Sequence, residues 1–144
     1  MKNNETGRSV PIIDHVGIAV NSIEAAVSGW SALLGGPPTG EERVESEGVR
    51  VAFFGSGHGR IELLEPLDAD SPIARHLERR GPGVHHVCLE VSDLEATLRR
   101  AEDEGWTAIP PAIRSGAQGA RVSFLDPRTT RGVLLELREA PGAG

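Results

Sequence analysis

The chain contains an internal repeat, and this feature constrains its fold more than any other. At an offset of 71 residues, DHVGIAVNSIEAAV (14–27) aligns with HHVCLEVSDLEATL (85–98), which places His15 on His86. After three further residues of loop, Glu62 in RIELLE aligns with Glu136 in VLLELR. Similarity at a fixed spacing is typical of a duplicated structural unit. Two copies of one unit therefore account for nearly the whole chain.

The residue pattern of each copy predicts the same order of secondary-structure elements, βαβββ. In the first strand the large apolar side chains share one face, and the residues between them, His15, Gly17 and Ala19, share the other. After each helix we expect three short strands, near residues 43–45, 49–54 and 60–64 and near residues 107–109, 121–125 and 133–137. The prediction is one α+β domain over residues 10–140, with modules at 12–67 and 84–138.

Start and stop signals place three helices. For each of the two repeat helices, two neighbouring polar residues are candidates for the N-cap. They are Asn21 or Ser22 for the first helix and Ser92 or Asp93 for the second. Between the modules, the sequence predicts a short helix over residues 71–80 that joins them. Ser71 is its expected cap, and Pro72 takes the first helical position, where its missing N–H costs nothing.

Histidines and glutamates at repeat-equivalent positions predict a metal site. The histidine face carries small neighbours, Gly17 in the first copy and Cys88 in the second, so it has room for a cavity. Glu62 and Glu136 lie on otherwise apolar strands, where an ionised carboxylate is costly unless it is paired or metal-bound. Two nitrogen and two oxygen donors suit Co²⁺, Mn²⁺, Fe²⁺, Ni²⁺ or Zn²⁺. The predicted ligands are His15, Glu62, His86 and Glu136.

Each of these four residues taken alone has a simpler interpretation as a capping or solvated side chain. Their repetition at matching positions is what favours the metal site. His85 has no histidine counterpart, because its match in the first copy is Asp14. As a strand neighbour of His86 it is expected to face away from that ring, in a structural or supporting role.

Composition excludes several classes of partner. The 144 residues include 15 basic and 21 acidic side chains, a formal net charge of −6, so nucleic acids and anionic membranes would be repelled. The single cysteine, Cys88, excludes an intrachain disulfide. The opening residues lack the apolar stretch of a secretion signal, and no segment approaches the ~18 apolar residues of a membrane span. We therefore expect a cytoplasmic location.

Six segments between residues 13 and 137 carry a family resemblance: IDHVGIAV, RIELLEPL, DSPIARHL, GVHHVCLEV, FLDP and GVLLEL. With them the chain resembles the vicinal oxygen chelate superfamily and, within it, the methylmalonyl-CoA epimerases. The resemblance implies the glyoxalase fold, a half-open, curved, mixed β-sheet around a metal cavity. It also implies a homodimer with one divalent ion per subunit, Co²⁺ foremost, bound by the four predicted ligands.

The reaction implied by the resemblance is proton exchange at C2 of (R)- or (S)-methylmalonyl-CoA through a metal-stabilised enolate. Inversion requires one group to remove the C2 proton and a second to return one from the opposite face. The resemblance assigns one of these roles to Glu136. Some epimerases carry a second catalytic glutamate where this chain has Val51. Glu45 and Glu47 lie nearby in a charged run typical of a solvated hairpin, and a metal-bound water could serve instead.

Two other functions stay open on the sequence. One is a glyoxalase-like isomerase or lyase acting on another thioester or thiol adduct, and the other is a non-enzymatic small-molecule-binding protein of the same fold. A fold by itself does not decide among them, although the presence of all four ligands argues against the binding protein. The CoA phosphates of the first hypothesis would need cations. Candidates are Arg114, Arg121, Arg128 and Arg131, for most of which a solvated surface position is the simpler expectation.

Overall fold

A curled eight-stranded mixed β-sheet with three α-helices makes up residues 11–142, the part of the chain that the computed structural model describes. Residue 10, the first of the predicted domain, lies outside it. The strands are β1 (Ile12–Ala19), β2 (Gly40–Val44), β3 (Val49–Phe54), β4 (Arg60–Pro66), β5 (Gly83–Val91), β6 (Arg114–Ser115), β7 (Arg121–Leu125) and β8 (Leu135–Glu139). The helices are α1 (Ile23–Leu34), α2 (Pro72–Arg80) and α3 (Leu94–Asp103).

The strand order is β2-β3-β4-β1-β5-β8-β7-β6. The first strands of the two copies, β1 and β5, pair antiparallel at the centre. Each of them pairs parallel with the last strand of its own copy, β1 with β4 and β5 with β8. The two halves thus repeat one arrangement on either side of the central pair. The predicted α+β fold of two tandem βαβββ modules in a half-open sheet is confirmed.

Side-chain caps begin all three α-helices within the described residues. Of the alternatives left open by the sequence, Ser22 caps α1 and Asp93 caps α3, accepting hydrogen bonds from backbone N–H groups at 3.2 Å and 2.9 Å. Ser71 caps α2 as predicted, and its Oγ accepts from two backbone N–H groups at 3.1 Å and 3.2 Å.

One predicted strand differs from the structure. Residues 107–109 form only an isolated bridge, from Ala108 to Leu125, and the strand that pairs next to β7 is the two-residue β6. The reason is local: Pro110 and Pro111 follow the predicted strand and have no backbone N–H to donate to a ladder. The edge of the second module is therefore shorter than that of the first.

Apolar side chains form clusters on both faces of the sheet. On the outer face, α1 and α3 each cover one module, and the most buried residues there include Ile23, Leu63 and Leu94. On the inner face, Ile73 of α2 packs with Ala19, Val51 and Leu64 of the first module. The inner faces of both modules, together with α2, line a cavity. Within residues 11–142, no helix is long and apolar enough to span a membrane.

Candidate metal centre and active site

Strand register brings the predicted ligands to the concave face of the sheet in two adjacent rows. In the first row, His15 of β1 lies opposite Cys88 of β5, and Cys88 lies beside Glu136 of β8. The small Cys88 side chain, fully buried between them, separates the two larger groups. His15 and Glu136 can therefore approach each other above it.

In the second row, Glu62 of β4 lies beside Gly17 of β1, which lies opposite His86 of β5. The His86 ring covers Gly17 closely. A Cβ atom built on Gly17 would stand 2.2 Å from His86 Cε1 and 2.8 Å from its Nε2. A side chain at position 17 is thus incompatible with this position of the imidazole.

Three donor atoms from His15, His86 and Glu136 meet at one point. The two Nε2 atoms are 3.0 Å apart, and Glu136 Oε1 lies 3.1 Å from His15 Nε2 and 3.0 Å from His86 Nε2. All three residues are at least nine-tenths buried. Three polar atoms therefore form a nearly equilateral triangle shielded from water.

The chemistry of this triangle fits a metal ion. Hydrogen bonds cannot satisfy all three edges together, because each ring nitrogen carries at most one proton and the carboxylate oxygen carries none. A cation satisfies all three atoms at once. Two ligands at right angles, each about 2.1 Å from a metal ion, lie about 3.0 Å from each other. The observed separations are those of adjacent ligands around one divalent ion.

Asp14 orients the first histidine from a β-bulge in β1. The pairing moves from Ile13 opposite Leu89 to His15 opposite Cys88, so Asp14 is an extra residue. The bulge places the Asp14 carboxylate beside His15, and His15 Nδ1–H donates to Asp14 Oδ2 at 2.8 Å. With the proton on Nδ1, Nε2 presents its lone pair to the triangle.

His85 orients the second histidine in the same way, so the prediction that it faces away from His86 is wrong. The pairing moves from Gly17 opposite His86 to Ile18 opposite Val84, which makes His85 the extra residue of a bulge in β5. Its Nδ1 lies 2.9 Å from His86 Nδ1. Burial and the neighbouring His86 lower the pKa of His85 to about 3, so the neutral ring can accept the His86 Nδ1 proton.

The buried Arg60 and the partly buried Arg138 complete the surroundings of Asp14, and the sequence analysis missed all three residues. Arg60 Nη2 donates to Asp14 Oδ2 at 2.8 Å and to Glu62 Oε2 at 2.9 Å, and Arg138 Nη1 donates to Asp14 at 3.3 Å. Although burial opposes it, the His15 hydrogen bond and both arginine charges lower the pKa of Asp14 to about 2. One signal was available, because strand alternation puts Arg60 on the same face as Glu62.

Glu62 lies beside the triangle and is not part of it. Its Oε2 is 3.2 Å from His15 Nδ1, the ring nitrogen remote from the triangle, and 2.9 Å from Arg60. Within the described chain, the donors that lie within 4.8 Å of one another there come from His15, His86 and Glu136. The structure thus brings three predicted ligands to one point and places the fourth against His15.

A cavity of about 190 Å³ opens in front of the triangle. Its walls are mostly apolar and include Val44, Val49, Val51, Leu64, Ile73 and Phe124. The position at which some epimerases carry a second glutamate therefore faces this cavity, but as a packed valine, 2% exposed.

Of the two candidate glutamates in the charged run before Val49, one is exposed to solvent and the other lines the cavity. Glu45 is exposed and pairs with Arg43 at 2.9 Å. Glu47 lines the cavity with 17% of its side chain exposed, beside Arg114 at 3.4 Å. Burial raises the pKa of Glu47 above its ordinary value, against the opposing charge of Arg114.

The four arginines that were candidates for contacting CoA phosphates lie in two different environments. Arg114 lies in the cavity wall with its guanidinium 5.5 Å from the centre of the Phe124 ring. Arg121 and Arg128 pair with surface carboxylates at 2.7–3.0 Å, and Arg131 is exposed. The expectation of surface positions holds for three of them.

The fold and this centre correspond to a known class of protein. Residues 14–124 match the family model described as the Glyoxalase/Bleomycin resistance protein/Dioxygenase superfamily. The chain is 37% identical over 131 residues to an ethylmalonyl-CoA/methylmalonyl-CoA epimerase of Cereibacter sphaeroides, covering 88% of this chain and 96% of the relative. It is 42% identical over 130 residues to an uncharacterized protein of Bacillus subtilis, covering 90% and 93%.

Solved structures give the same result. A methylmalonyl-CoA epimerase from Mycobacterium tuberculosis matches with a TM-score of 0.83 at 37% identity, covering 90% of this chain and 89% of that one. A methylmalonyl-CoA epimerase in complex with methylmalonyl-CoA and NH₄⁺ matches with a TM-score of 0.85 at 33% identity, covering 94% and 98%. The chain belongs to this superfamily and, within it, to the methylmalonyl-CoA epimerase family. The resemblance and the glyoxalase fold predicted from the sequence are confirmed.

Proposed function

We propose that the protein is a divalent-metal-dependent epimerase that exchanges the proton at C2 of methylmalonyl-CoA and so interconverts its R and S forms. The observation that carries this proposal is the buried triangle of His15 Nε2, His86 Nε2 and Glu136 Oε1, with sides of 3.0–3.1 Å, at the end of an apolar cavity. The epimerase relatives, one of them in complex with methylmalonyl-CoA, support the choice of substrate.

The metal would be held by the triangle, with Glu62 as the fourth protein ligand. A bound divalent ion would stabilise the negative charge that develops on the thioester oxygen as C2 loses its proton. To join the triangle, the Glu62 carboxylate has to turn away from Arg60, which keeps Asp14 as its partner. Because Asp14 holds the Nδ1 proton of His15, the lone pair of Nε2 stays available to the ion.

Glu136 is the proposed base for one face of the substrate. Its Oε1 contacts both imidazoles, whereas Oε2 lies near Gly116, 3.7 Å from where a Cβ of that residue would stand. Burial favours the neutral carboxyl, but hydrogen bonds from protonated His15 and His86, or a metal ion that takes the place of those protons, would hold the pKa of Glu136 below its ordinary value, so it is ionised at neutral pH. One oxygen is committed to the triangle, and the other can accept the C2 proton.

The cavity suits the acyl end of the substrate. At about 190 Å³ it is far too small for a whole CoA thioester, so the nucleotide part would stay outside. The apolar wall formed by residues such as Val51 and Leu64 would contact the methyl group and exclude water from the reacting carbon.

The proposal also includes properties implied by the family resemblance and by composition. These are Co²⁺ as the ion, with Mn²⁺, Ni²⁺, Zn²⁺ or Fe²⁺ as alternatives, a homodimer, and a cytoplasmic location. Reconstituting the apoprotein separately with each ion, and measuring mass in solution by sedimentation, tests the first two directly.

The decisive experiment incubates metal-reconstituted protein with a single epimer of methylmalonyl-CoA in deuterium oxide. Incorporation of deuterium at C2 together with loss of stereochemical purity is the expected result. Absence of exchange with every divalent ion tried would remove the proposal.

A further inference from the structure

We propose that Glu47 is the second proton-transfer group, which acts on the face of C2 opposite to Glu136. This inference rests on the proposed epimerase function. Epimerisation needs two such groups, since a single group that removes a proton and returns it to the same face restores the starting epimer.

The cavity lining leaves one carboxylate free for this task. Among the described residues that line it, the carboxylates are Glu47, Glu62 and Glu136. Glu136 belongs to the metal triangle, and Glu62 is engaged by Arg60 and His15. Glu47 contacts neither the metal triangle nor the Arg60–His15 pair. Its charged partner is Arg114.

The two oxygens of Glu47 differ in their surroundings. Oε2 lies 3.4 Å from Arg114 Nη1, whereas Oε1 is buried without a hydrogen-bond partner among residues 11–142. Leaving a buried acceptor unpaired is unfavourable. One oxygen of Glu47 is thus held by Arg114 and the other has no fixed partner, and the side chain lines the cavity, where its carboxylate could exchange a proton with a bound substrate.

Contacts with the start of α2 and with the second module hold Glu47 in place. It ends a 3₁₀ turn (Glu45–Glu47) whose next residue, Gly48, has φ +66°, and a Cβ on Gly48 would stand 3.0 Å from Ser71 Cβ. Ser46 Oγ donates to Ser115 O at 3.3 Å and so ties the turn to β6. The turn is therefore fixed by α2 on one side and by β6 on the other.

Arg114 is anchored independently of Glu47. Its Nη2 donates to the carbonyl oxygens of Ile109 at 3.1 Å and Pro110 at 3.0 Å, and its guanidinium lies over the Phe124 ring. A cation held in this way stabilises the ionised form of Glu47 and limits the movement of its carboxylate.

The proton transfers balance without any further reactant. In one direction, a carboxylate oxygen of Glu136 takes the C2 proton, and the electron pair of the broken C2–H bond moves into the thioester as an enolate. Protonated Glu47 then gives its proton to the opposite face of C2, so that its O–H bond breaks as the new C2–H bond forms. The two glutamates have exchanged protonation states, and the reverse reaction starts with Glu47 as the base.

The test compares Glu47→Gln with Glu45→Gln, a matched control two residues away on the same turn. Each metal-loaded protein is incubated in deuterium oxide with the R and the S epimer separately, and inversion and deuterium exchange are followed independently. Glu47→Gln should lower inversion by at least about 10²-fold, while one of the two epimers still exchanges its C2 proton without inverting. Glu45→Gln should stay within about twofold of wild type, because its partner is an exposed arginine.

Metal content and thermal midpoint of Glu47→Gln should match those of wild type, and Glu47→Ala provides a second variant that should show the same one-sided exchange. Inversion by Glu47→Gln at close to the wild-type rate would overturn the inference and leave the epimerase function standing. Equal loss of exchange from both epimers with normal metal content would also overturn it. Absence of exchange in the wild type would instead refute the epimerase function.

Discussion

Gly17→Ala is expected to destroy the proposed metal centre although it mutates none of the proposed ligand residues. The new Cβ would stand 2.2 Å from His86 Cε1, about 1.2 Å short of the 3.4 Å at which ordinary van der Waals contact begins. Gly17 does not have a positive φ, so the backbone tolerates alanine and the ring has to yield. Metal–ligand distances hold to within about 0.2 Å, so a displacement of this size removes His86 from the coordination sphere.

The size of the expected loss in metal affinity follows from the loss of one protein ligand. Changing a residue that merely supports a ligand already costs about 10–100-fold in metal affinity. Displacing the ligand itself should therefore cost at least ~10²-fold, or about 2.8 kcal/mol. Calorimetric titration of Co²⁺ into the apoprotein measures this loss directly, with no dependence on substrate.

Gly29→Ala is the matched control. Gly29 lies in α1, and apart from its chain neighbours and the adjacent backbone of its own helix no atom of the described chain lies within 4 Å of a built Cβ, so alanine there should leave metal affinity unchanged. It should also raise stability by about 0.5–1 kcal/mol, as expected for an exposed helical glycine. Wild-type Co²⁺ affinity in a folded Gly17→Ala protein would refute the assignment of His86 as a ligand above Gly17.

Three further outcomes are expected. Glu136→Gln should reduce turnover by at least ~10²-fold in the epimerisation assay, and near-wild-type turnover would exclude Glu136 as a base. His86→Ala should lose its metal on dialysis, whereas His85→Ala should keep most of it, as measured by elemental analysis; the opposite ranking would contradict their assigned positions. Cys88 is fully buried and burial raises the pKa of its thiol, so a thiol reagent should label it only after unfolding, and rapid labelling of the native protein would disprove this.

The positions of His15 and His86 on the concave face could be predicted because strand alternation is a local property. Side chains two residues apart share a face whatever the rest of the chain does. The same reasoning failed at His85, since a bulge adds a residue and cancels the alternation at that point. The repeat alignment had matched His85 with Asp14, and these two residues contact the two histidines that we propose as ligands.

Glu45 and Glu47 show a second limit of sequence reasoning. Both lie in one acidic run, and no local pattern distinguishes them. Glu47 reaches the cavity because Gly48 packs against Ser71 and the turn meets β6, contacts between segments far apart in the chain.

The sequence by itself determined the duplication, the βαβββ order, the α2 cap and the residue types of the proposed metal centre, because these depend on repetition, periodicity and charge along the chain. Tertiary structure alone decided which donor atoms meet, that Glu62 rests against Arg60, and that Glu47 and Arg114 face the cavity. The physical reason is that bulges and the curl of the sheet set side-chain direction through pairing between distant strands, and such pairing leaves no local signal in the sequence.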